Sequence, residues 1–75
     1  MGKTYVKVDV ESGESSAILP RRIHWPDGKS WEITRTMYMS ESPDGEYEGI
    51  RYTVVIGSAQ KYLYKDGDRW YVMSP

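Results

Sequence analysis

The chain has no cysteine and no phenylalanine, a single histidine and four prolines. Without cysteine no disulfide can brace the fold, and one imidazole (His24) would leave a structural zinc site to be assembled mostly from carboxylates, so neither staple is expected and no cofactor is implied. No segment approaches the run of about 18 apolar residues that a membrane-spanning helix needs. The first residues also lack the apolar stretch of a secretory leader, so the expectation is a cytoplasmic chain with no membrane association. Neither sign of charge dominates: ten basic residues stand against eleven acidic ones, a net charge of −1. That withholds the long-range attraction on which nucleic-acid and anionic-membrane binders rely.

Length is short as well. With 75 residues a second core is excluded, and a single domain over 1–75 is expected. A chain of this size buries only about 60% of its unfolded surface, and burial is nearly cancelled by about 1.5 kcal/mol of ordering entropy per residue. What is plentiful is aromatic surface. Three Trp and seven Tyr can each bury about 150–250 Å², which points to an aromatic-rich core.

Turn signals punctuate the chain at Glu11-Ser12-Gly13-Glu14, Pro26-Asp27-Gly28-Lys29, Ser42-Pro43-Asp44-Gly45, Gly57-Ser58 and Asp66-Gly67. Proline at the first central position of a turn and glycine at a left-handed one are the least strained reversals, and Asp-Gly between apolar runs marks hairpins. Five turns predict six strands, and the residues between them alternate with period two. Thr4, Val6, Val8 and Val10 share one face of the first strand. Ile50, Tyr52, Val54 and Ile56 share one face of the fourth, and Trp70 and Val72 one face of the last.

Pro20 interrupts the second strand (about Ala17 to Trp25) and calls for an edge, a bend or a bulge, because proline cannot donate to a ladder. In the third strand Arg35 falls on the same face as Trp31, Ile33 and Met37, which favours a bulge there. Lysines at both ends of Lys61–Lys65 suggest a short or edge strand. The predicted fold is all-β, a six-stranded antiparallel meander closing into a small SH3-like barrel, with an open curved sheet as the alternative. Its expected core is Val6, Val8, Ile23, Trp25, Trp31, Ile33, Ile50, Tyr52, Val54, Ile56, Leu63, Trp70 and Val72.

At Pro20-x-x-Ile23-x-Trp25-x-Asp27-Gly28, Gly49-Ile50-Arg51-Tyr52-Thr53, Ile56-Gly57, Leu63 and Arg69-Trp70, the chain resembles a family of short uncharacterised proteins common in clostridia and related Firmicutes. The likeness runs from about Leu19 to Val72. It departs from the family pattern at Thr34-Arg35-Thr36-Met37, where an acidic and an aliphatic residue are the rule. The resemblance implies no known activity and therefore no site residue.

No catalytic arrangement is legible: there is no Cys-His or Ser-His-Asp grouping, no phosphate-cradling glycine loop and no metal-ligand spacing. His24 alternates away from Ile23 and Trp25 and is expected at the surface. Glu41, Asp44, Glu46 and Glu48 cluster around a turn without matching a calcium-loop spacing, so solvated charge is the simpler account. The informative feature is aromatic residues on faces that alternation assigns to solvent: Tyr5, Tyr38, Tyr62, Tyr64 and Tyr71. Arg51, Arg69, Lys61 and Lys65 lie on the same strands.

Such tyrosines suit cross-strand pairing and a second small cluster under a loop. They also suit a protein interface, which is enriched in Tyr, Met and Arg, or, less readily, stacking on single-stranded nucleic acid. The expected function is a non-enzymatic binding module for another protein, with nucleic acid as the alternative and a monomer or weak dimer as its state. Tyr38, Arg51, Tyr62, Tyr64, Arg69 and Tyr71 form the candidate site. Arg21 and Arg22, with Lys29 and Arg35, are expected to be paired across strands with acids such as Asp27 and Glu32 rather than to form a phosphate-binding stripe.

Overall fold

Alternation becomes strand wherever it was clear in the sequence. The computed structural model describes residues 2–12, 18–41, 45 and 49–74, and among them runs β1 (Gly2–Ser12), β2 (Ile18–His24), β3 (Ser30–Glu32), β4 (Arg35–Glu41), β5 (Ile50–Ile56), β6 (Ala59–Asp66) and β7 (Arg69–Ser74). Parts of two expected turns (Gly13 and Glu14; Ser42, Pro43 and Asp44) and most of the acidic cluster (Asp44, Glu46 and Glu48) lie outside the described residues.

All neighbours are antiparallel, in the order β3-β2-β1-β7-β6-β5-β4. The sheet curls into a half-barrel, and the connectivity supplies the reason. Its two end strands, β3 and β4, are joined only by Ile33 and Thr34. Laid flat, seven strands would set their edges roughly 29 Å apart at the usual spacing between neighbours. A link of that length reaches about 11 Å. The sheet must bend, and the link ties its two ends: Ile33 N donates to Arg21 O (2.8 Å), while Thr34 N donates to Val55 O (2.9 Å).

The expected six-stranded closed barrel is therefore corrected to seven strands and an open seam. The predicted third strand is split in two. Its first half, β3, pairs with β2 and its second half, β4, with β5, so no ladder runs unbroken around the circuit. A second correction concerns Lys61–Lys65, which lies in a central strand, β6, paired along its whole length with β5.

Both expected irregularities are present. The β1–β2 register shifts beside Val10 and Pro20, with Arg21 as the extra residue, so a buried proline sits where no ladder bond is required of it. The β4–β5 register shifts between Thr36 and Tyr38, with Met37 as the extra residue. Arg35 itself stands opposite Val55 on the outer face.

Inside the curl Val6, Ile23, Ile33, Tyr52, Val54, Leu63 and Trp70 form the buried core, with Val8, Trp25, Ile50, Ile56 and Val72 packed against it. Tyr52 and Trp70 rings lie 5.2 Å apart at 45°, within the range that favours aromatic pairs. Trp31 is the exception among the expected core residues. It stands opposite Ile23 but on the three-residue end strand at the seam, and so it remains 39% exposed.

Candidate functional site

The outer face is built by residues of the opposite parity. In register across four strands it carries Tyr5 (β1), Tyr71 (β7), Tyr64 (β6) and Arg51 (β5), and beside them Tyr62, Thr53 and Tyr38 form a second row. All six candidate residues share this face, though they do not share its exposure. Tyr71 is fully buried at 0% and Tyr64 nearly so, whereas Tyr62 (48%) and Tyr38 (57%) stand out in solvent. The two buried rings are stacked, 5.0 Å between centroids and 5° from parallel, and Tyr5 meets Tyr71 edge-on at 5.8 Å. Part of the face expected to be wet is therefore a second aromatic cluster, capped by the Lys3 ammonium 4.7 Å from the Tyr71 ring.

Around that cluster the cations pair with the exposed rings. The Arg51 guanidinium lies 4.4 Å from the Tyr62 centroid. Arg69 lies 4.4 Å from Tyr5 and donates from Nη2 to its hydroxyl at 3.1 Å. Cross-strand spacing brings these pairs together, since Arg51 faces Tyr64 directly and Tyr62 lies diagonally. Tyr38 stands apart on the end strand, separated from Tyr62 by Thr53. Lys3 and Tyr5, outside the six candidates, complete the array. Tyr5 was already among the outward aromatics of the sequence, whereas Lys3 was marked only by the first strand's odd-numbered parity.

A cleft adjoins this face. β6 and β7 pair only over Tyr64–Asp66 and Arg69–Tyr71. Below Tyr64, Tyr62 and Met73 flank a cleft of about 260 Å³, and Ile23, Trp25, Trp31, Ile56 and Val72 line it from within. The Trp25 and Trp31 rings meet edge to face at 5.2 Å, Trp25 Nε1 is buried without a hydrogen-bond partner, and Lys61 supplies the cationic lining residue. Sequence reasoning missed this cleft because it arises where a ladder stops, and no residue type marks that.

Elsewhere charge is neutralised locally. Arg21 faces Glu11 and Arg22 faces Glu32, both at 3.8 Å, Lys29 lies 3.8 Å from Asp27, and His24 Nε2 contacts Asp9 Oδ2 at 2.9 Å on the outer face. The arginine pair is thus paired across strands rather than forming a basic stripe. Burial pushes the Tyr52 phenol above its ordinary value. Among the described residues no helix is long and apolar enough to cross a membrane. Comparison of the chain with family models, curated proteins and solved structures gives no match.

Proposed function

We propose that the protein is a small non-enzymatic binding module of the cytoplasm that engages another protein through the Tyr62–Arg51 face, with the β6–β7 cleft receiving an apolar side chain of that partner. The cleft carries this reading. At about 260 Å³ it falls below the range of about 300–1,000 Å³ typical of small-molecule and cofactor sites. An apolar pocket beside an exposed Tyr held by an Arg has the make-up of an interface anchor and its rim.

Single-stranded nucleic acid fits the same face less well. Bases stack on open ring faces, but Arg51 and Arg69 each lie over one face of Tyr62 and Tyr5, and Tyr64 and Tyr71 are buried.

Peptides selected from a random displayed library against the folded protein test the proposal. The expected binders carry one large apolar anchor and shift the amide resonances of Trp25, Trp31, Tyr62 and Val72. Tyr62→Ala should weaken them about thirtyfold, the scale of an interface hot spot, with little change on adding salt. Binders that shift none of these amides would overturn it. Shifts at Arg51 and Arg69 on adding mixed single-stranded oligonucleotides, lost with added salt, would put the nucleic-acid reading in its place.

A further inference from the structure

The cleft between β6 and β7 is walled by backbone as well as by side chains. Ile56 and Ala59 close the Gly57-Ser58 turn as a hydrogen-bonded pair, so β6 exchanges its bonds with β5 at Ala59, Lys61, Leu63 and Lys65. The N–H and C=O of Gln60, Tyr62, Tyr64 and Asp66 point the other way. Tyr64 and Asp66 meet Tyr71 and Arg69 of β7. In the same register Tyr62 would face Met73, but the ladder stops first, and the two residues flank the cleft instead. Gln60 and Tyr62 therefore turn an unpaired strand edge toward it. Such an edge is a template for one more strand, whose main-chain bonds supply affinity while pockets for alternate side chains supply specificity.

The side chains along this edge indicate what that strand carries. Lys61 and Leu63 share the inward parity of β6, opposite Val54 and Tyr52. Among the described residues Lys61 is the only charged side chain lining the cleft, and it forms no ion pair with any of them. Glu32, which shares with it the hollow beside Trp31, is held by Arg22. An ammonium in the wall repels any cation that the rings of Trp25, Trp31 and Tyr62 would otherwise attract, and it favours a carboxylate. The lining nearer Leu63, Val72 and Ile23, is apolar.

We infer that the partner enters as an extended strand antiparallel to β6 along Gln60–Leu63, carrying an apolar residue and, two residues later, an Asp or Glu. The antiparallel register sets the apolar residue opposite Leu63 and the acid opposite Lys61, and the residue between them exchanges both backbone bonds with Tyr62. This occupant presupposes the partner site proposed above, and adds to it the backbone pairing and the sign of charge. One ion pair brings only a shallow salt dependence, unlike a row of phosphate contacts.

Peptides selected from a random displayed library test the strand separately from the site. Their sequences should share the apolar-x-acid spacing. Lys61 is exposed, and Lys61→Glu should weaken them about tenfold, with Lys in place of the peptide's acid restoring affinity. Methylating each peptide backbone nitrogen in turn should cost about tenfold at alternate residues, the signature of pairing along one edge. Hydrogen exchange at the Gln60 and Tyr62 amides should slow in the complex. Peptides that shift the Trp25 and Trp31 amides yet tolerate methylation throughout and leave Tyr62 exchange unchanged would overturn the strand while the partner site stands. A consensus without the acid, or indifference to Lys61→Glu, would overturn the inference equally. Peptides that shift no cleft amide would overturn both the strand and the site.

Discussion

Thr53 shows how little of a residue's setting its sequence neighbours decide. By alternation it belongs to the outer face, yet it is 1% exposed, flanked in register by Tyr38 and Tyr62, and its hydroxyl has no hydrogen-bond partner. A buried hydroxyl left unpaired costs about 1–3 kcal/mol. Thr53→Val keeps the branched shape and removes that cost. It should stabilise the fold by about 1 kcal/mol, a rise of roughly 4–8 °C in Tm for a domain of this size, and a calorimetric scan showing a fall instead would mean that the hydroxyl is satisfied. Tyr71 teaches the same lesson. Its parity was correctly read, but its burial depends on Tyr5, Tyr64 and Lys3 arriving from two other strands.

Element boundaries were legible where chemistry marks them and invisible where geometry alone does. The reversals at Pro26-Asp27-Gly28, Gly57-Ser58 and Gly67 all separate strands, and Pro20 announced its bulge through its missing donor. The break at Ile33-Thr34 carries no turn residue, because the chain there does not reverse. It continues in the same sense and only changes partner, from β2 to β5.

At the entrance to β5, Gly49 has φ +81°, and a Cβ built on it would stand 1.9 Å from the Lys65 carbonyl oxygen. Both the left-handed backbone and the approach to β6 require glycine there. Gly49→Ala should cost at least about 2–3 kcal/mol, read as a lower midpoint in urea with the slope unchanged. An unaltered midpoint would show that this approach does not hold β5 against β6.

For the molecule as a whole, stability rests on a core that contains one ionisable ring. Burial raises the Tyr52 phenol pKa, whereas in the unfolded chain it titrates near its ordinary value of about 10. Below that pH both states hold the proton and the contribution is complete. Above it the unfolded chain releases the proton first, so stability falls as pH rises toward the folded value. Tyr52→Phe should flatten the decline of Tm above pH of about 10, and equal slopes for the two chains would place the alkaline loss elsewhere.

By itself the sequence determined the all-β class, the inward parity of the core residues, both bulges and the common face of the six candidate residues, because a period of two and the backbone limits of proline and glycine are local properties. Only the tertiary structure decided that the sheet stays open, that Tyr64 and Tyr71 are buried while Tyr62 and Tyr38 are not, and that a cleft opens where β6 parts from β7. Those outcomes depend on which strand edges meet and how far their ladders run, and such long-range pairings leave no mark on neighbouring residues in the chain.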